Sequence, residues 1–178
     1  MVSDFGPQYA PAGDVGAALM VVDSRLRSIH GHGGRSDPEE QALAEQFLDS
    51  MGPQSARDLL DGACTLVYMF MTWLRKAHES HGKDVIEYVV PNLVASMSAM
   101  RKSVRPEAIP TLAGLVIAAG TGLSPSLWRE QYGDWTEAEM NALEVTAFLL
   151  AEHINRITED PDFATRLISE ALARTEES

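Results

Sequence analysis

The chain has 178 residues, 45% of them hydrophobic and 22% charged, with a formal net charge of −12. That is one domain's worth of chain, apolar enough to bury a core without a metal, and with Cys64 as its only cysteine it can form no internal disulfide. The acidity argues against nucleic acid, whose capture rests on Lys and Arg neutralising phosphates. No apolar run reaches the roughly 18 to 20 residues of a membrane span, so no membrane is expected and the cytoplasm is the expected location.

A flexible tail is predicted over 1–13, a helical-bundle domain over 14–174 and a frayed end over 175–178. Asp14 can cap a first helix whose apolar positions Val15, Leu19, Val22, Leu26 and Ile29 recur at spacings of three and four, one stripe on one face. Gly31 is placed to end it. Ser36-Asp37-Pro38-Glu39-Glu40 carries capping-box spacing and a proline suited to a first helical position. It opens a second helix bearing Leu43, Phe47 and Leu48, which stops at Gly52.

The third helix, about 53–81 with Gly82 after it, is apolar nearly all round. Leu59, Leu60, Cys64, Val67, Met71 and Leu74 fill one side, and Leu66, Tyr68, Met69, Phe70 and Trp73 fill the rest. Such a helix is covered by neighbours on several sides, so it is predicted to be the centre of the bundle. The segment from Asp84 to Lys102 contains Pro91, which predicts either a bend near Val89-Val90 or two helices. Further helices are predicted over Leu112–Ala119, from Ser124-Pro125 to Gly133, from the capping box Thr136-Glu137-Ala138-Glu139 onward, and after Asp160-Pro161. No hairpin dipeptide between alternating strands and no fixed-period repeat occurs. The reading is all-α, a single-domain bundle of seven to eight helices.

None of the motifs that could carry chemistry meets the context it needs. His30-Gly31-His32-Gly33-Gly34-Arg35 is glycine-rich ahead of a helix, but Asp37, Glu39 and Glu40 already answer that helix's dipole, and no Gly-Lys-Ser/Thr ending follows. The histidine pairs His30/His32 and His78/His81 lack zinc spacing, and Arg75 and Leu150 stand where a di-iron bundle needs Glu three residues before His78 and His153. Gly120-Thr121-Gly122 is followed by Pro125 where a dinucleotide turn needs its third glycine. No catalytic residue, metal or cofactor is therefore assigned.

Two clusters remain. Trp128, Arg129, Tyr132 and Trp135 are the residue types that concentrate at binding hot spots, on a predicted short helix and loop. Folding back over the bundle end is the competing arrangement for the two tryptophans. Cys64, Tyr68, Met71, Met97 and Met100 could line an apolar cavity beside the Pro91 segment, with the Tyr68 hydroxyl to orient a ligand. The leading expectation is a non-catalytic domain acting by protein–protein association, as a homodimer or as the acidic partner of another protein. Next come a bundle that binds a small apolar molecule, and an enzyme with a scattered site whose general base would be His78, His81 or His153.

Overall fold

The computed structural model describes residues 12–30 and 53–177. The expected second helix with Leu43, Phe47 and Leu48, the glycine-rich loop, and nearly all of the N-terminal tail lie outside the described residues. Among those described there are seven α-helices and no strand: α1 (Ala12–His30), α2 (Pro53–Glu79), α3 (Val85–Ala99), α4 (Ile109–Gly120), α5 (Pro125–Glu130), α6 (Glu137–Thr158) and α7 (Phe163–Glu177). A 3-10 turn, Pro106–Ala108, leads into α4. The protein is an all-α bundle.

α2 is its axis. Leu66, Val67, Phe70, Met71 and Leu74 are fully enclosed, and α2 touches every other α-helix described. An apolar circumference leaves no face for water, so six neighbours pack on it. The tightest seam is with α1. A Cβ on Gly62 would stand 2.2 Å from the backbone oxygen of Asp14, so the absence of a side chain there lets the two backbones meet. The stripe Val15, Leu19, Val22 and Leu26 is buried in that seam. Thr165 donates to Asp23 at 2.9 Å and Arg25 pairs with Glu144 at 3.2 Å, tying α1 to α7 and α6.

Several expected boundaries move. Asp14 lies inside the first turn of α1 instead of capping it, because Ala12 and Gly13 are already helical. At the other end α7 continues through Glu177, past the expected fraying at 175. Pro91 does not split its helix. α3 runs unbroken from Val85 to Ala99, with Asp84 accepting from the Ile86 amide at 2.9 Å as its N-cap. Pro91 is exposed, so the carbonyl left without an amide donor lies on the side that water reaches.

The turn between α6 and α7 is built by side chains. Asn155 donates to the Pro161 carbonyl at 2.9 Å and accepts from the Ala164 amide at 2.7 Å. It thereby takes one of the amides that the start of α7 leaves unpaired. Glu159, at φ 56°, closes α6 in the left-handed region.

Candidate functional site

The aromatic segment forms a corner of the bundle where α5 lies against α4. Ser124 caps α5, accepting from the Leu127 amide at 3.3 Å. Trp128 then packs directly on Gly114 of α4: a Cβ there would come within 2.7 Å of the indole. The Tyr132 ring meets Trp128 edge-on at 5.2 Å. Trp128 and Trp135 both pack, partly buried, against the core, and Trp128 carries the tyrosine beside it.

Arg129 is not part of the exposed surface. It is 3% exposed, and its guanidinium is fully engaged within the chain. Nε and Nη2 donate to the two carboxylate oxygens of Glu139 at 3.1 and 2.8 Å. Nη1 donates to the Gly133 carbonyl at 3.0 Å and Nη2 to the Asp134 carbonyl at 2.9 Å. Its carbon lies 5.0 Å from the centroid of Trp135. The residue expected as a binding anchor is instead a clip that fixes the loop from Gly133, at φ +92°, to Thr136. Glu139 completes the predicted capping box, accepting from the Thr136 amide at 3.0 Å while Thr136 Oγ1 accepts from its own amide at 3.2 Å. Burial alone would raise the Glu139 carboxyl, but the hydrogen bonds from Arg129 and Thr136 outweigh it and hold the group at about 2.

With Arg129 withdrawn, the corner exposes several large apolar side chains, with Glu130, Gln131 and Asp134 also exposed around them. Leu123 is 56% exposed, Leu127 50% and Tyr132 65%, and Ile117 also faces solvent one turn beyond Gly114 on α4. From Ile109 through Trp128 the chain carries no charged residue and no histidine. The rim carries both signs. Asp61 and Glu130 are close enough for the second to push up the carboxyl of the first, which burial raises most, and Arg57 acts on it in the opposite sense. Arg75 lies beside Gly122 on another side.

The residues expected around a ligand cavity are dispersed through the core. Met71 packs on Gly120 of α4, which Ile86 and Val85 of α3 also approach. Met97 accepts from Thr146 Oγ1 at 3.6 Å, on the α6 side. Cys64 is buried beside Ser126, and burial pushes its thiol up to about 12, so it is no nucleophile at neutral pH. Tyr68 and Met100 are only partly buried against the core. A cleft of about 20 Å³ between α3 and α6 has room for one water-sized occupant, and none of these five residues lines it.

Of the three histidines considered as bases, His81 is exposed. His78 Nδ1 bonds the Leu74 carbonyl at 2.8 Å, the ordinary role of a histidine near a helix end. His153 stacks on His78 with ring centroids 6.4 Å apart, a pairing between α2 and α6 that no spacing in the sequence signals. Among the described residues no group of three His, Cys, Asp or Glu could hold a metal ion. No described helix is long and apolar enough to cross a membrane. Comparison with known proteins gives no matching family model, no matching curated protein and no matching solved structure.

Proposed function

We propose that this chain is a non-catalytic helical module that acts by protein–protein association, and that it meets a second copy of itself through the α4–α5 corner. The observation that carries this reading is the exposure of four large apolar side chains, Ile117, Leu123, Leu127 and Tyr132, on α4, α5 and the turns beside them, where Arg129 ties down the Gly133 and Asp134 carbonyls. Apolar patches rimmed by polar groups mark contact sites on globular proteins. A patch already fixed by the Trp128–Gly114 contact and the Arg129 clip loses little further freedom on binding.

A second copy is favoured as partner on two grounds. In a chain of charge −12 most faces repel their like, and the corner, uncharged from Ile109 through Trp128, is where two copies can approach. A rim carrying Asp61 and Glu130 on one side and Arg75, which also pairs with Glu79, on another lets a two-fold pairing set acid against base. The lone buried thiol suits the reducing cytoplasm.

Sedimentation velocity over a concentration series tests the reading. The expected result is a dimer that tightens as salt screens the net repulsion, and that is lost in Leu127→Asp but kept in Met20→Asp, an exposed apolar site on α1. A chain that stays monomeric at every concentration overturns the homodimer. A dimer that survives Leu127→Asp and Tyr132→Asp overturns the corner as its interface.

A further inference from the structure

His153 lies where α2, α3 and α6 converge. Its Nε2 is buried and has no hydrogen-bond partner among the described residues. Val89, Asn92, Leu93 and Ser96 of α3 line the cleft that it occupies, opposite Leu149, Leu150 and Arg156 of its own helix. From α2, His78 stacks on it at 6.4 Å with the rings 17° apart. His78 also neighbours Tyr88, with ring centroids 6.2 Å apart, and the Lys83 ammonium lies 5.1 Å from the Tyr88 ring. Among the described residues no carboxylate lines the cleft. Glu152, the nearest acid on α6, pairs with Arg156 at 3.2 Å.

The neutral imidazole fits this place, since it needs only one unmade hydrogen bond. The imidazolium does not. It would put a second proton on a nitrogen that has no hydrogen-bond partner among the described residues, in a cleft with room for one water at most, and close to the Arg156 guanidinium and the His78 ring. A buried charge without a counter-ion is among the costliest arrangements a fold can hold, and the group that carries it escapes by opening to water. Opening here means parting α3 from α6, because those two helices make the cleft.

We infer that the α3–α6 joint is a proton-operated latch, in which protonation of His153 parts α3 from α6. Burial first, and then Arg156 and His78, hold the His153 proton affinity below the ordinary value of 6.5, which gives the sign. The closed joint is fully stabilised above 6.5, and that stability is lost as pH falls from 6.5 through the lower value of the closed state. A single proton makes the opening constant rise about tenfold per pH unit across that window. The latch is independent of the association reading, since it involves neither α5 nor the α4–α5 corner.

Two measurements on the full chain test it. A proton NMR titration of the histidine rings is expected to place His153 below the ordinary histidine value, and Arg156→Gln is expected to move it upward by removing a flanking cation. Amide hydrogen exchange, corrected for intrinsic rate, is expected to lose protection in α3 by about tenfold per pH unit below 6.5. Exchange in α7 should stay level, and His153→Gln should abolish the pH dependence in α3. A wild-type His153 that titrates at or above 6.5 overturns the latch, whether or not the variant folds. So does an α3 protection profile that falls equally in wild type and His153→Gln.

Discussion

Replacing Arg129 by Met keeps most of the side chain's volume and removes its charge, leaving three kinds of group without a partner. The Glu139 carboxylate, its side chain 11% exposed, loses a two-pronged ion pair. The Gly133 and Asp134 carbonyls lose a donor each, and the Trp135 face loses its cation. Stranding one partner of a buried pair costs about 3 to 5 kcal/mol. The two carbonyls sit on exposed residues that water can reach, which places each near the lower end of the roughly 1 to 3 kcal/mol for an unmade bond. Glu139 keeps its Thr136 bonds, which softens the first term. The single substitution is therefore expected to destabilise by about 4 kcal/mol, close to 8–16 °C in Tm for a chain of this size.

The double variant Arg129→Met/Glu139→Leu separates the terms. It removes the stranded charge, so it should recover about half of the loss. It stays below wild type, because the two carbonyls remain unbonded and the capping box is gone. Urea unfolding followed by tryptophan fluorescence measures all four corners of the cycle, since Trp128 and Trp135 report on this loop. A single-variant loss under about 1 kcal/mol would refute the clip, as would a double variant no better than the single one.

Other expectations follow from particular contacts. Gly62→Ala puts a Cβ against the Asp14 backbone, which cannot rotate away, so a loss at or above the usual 1 to 3 kcal/mol of overpacking is expected in urea unfolding. Glu139 is held at about 2 in the fold against an ordinary 4.5. Its contribution is thus complete above 4.5 and lost as pH falls toward 2, and Glu139→Gln should flatten the acid limb of the stability–pH curve. Cys64, with its thiol near 12, should resist a disulfide exchange reagent in the native protein and react only at the rate of unfolding. Reaction with native protein at the rate of an exposed thiol would contradict its burial.

The parts of this fold that can be read from sequence are those written in local chemistry. The apolar circumference of α2 marks the centre of the bundle, Ser124 and Thr136 mark where α5 and α6 begin, and Gly82 lies just past the end of α2. Parts that depend on distant pairs are not legible. Glu139 reads as a capping residue, but nothing in its spacing shows that its carboxylate also receives Arg129. That second role explains why a residue type common at binding hot spots is buried here. Asn155 carries no cap signature toward α7, since the helix that it serves begins only after a turn. The close approach at Gly62 and the His78–His153 stack are set by how helices cross, which periodicity does not encode. The methionines read first as core, and as a ligand cavity only through the Pro91 bend expected beside them. Their packing on Gly120 and Thr146 puts Met71 and Met97 in the core.

The central claim is that the α4–α5 corner is an association surface, and amide chemical-shift mapping during dilution tests it most directly. Signals from Ile117, Leu123, Leu127 and Tyr132 should move together with concentration along one dimerisation curve, while those around the exposed Met20 stay fixed. Shifts that cluster away from the corner, or a spectrum that does not change with concentration, would contradict the account.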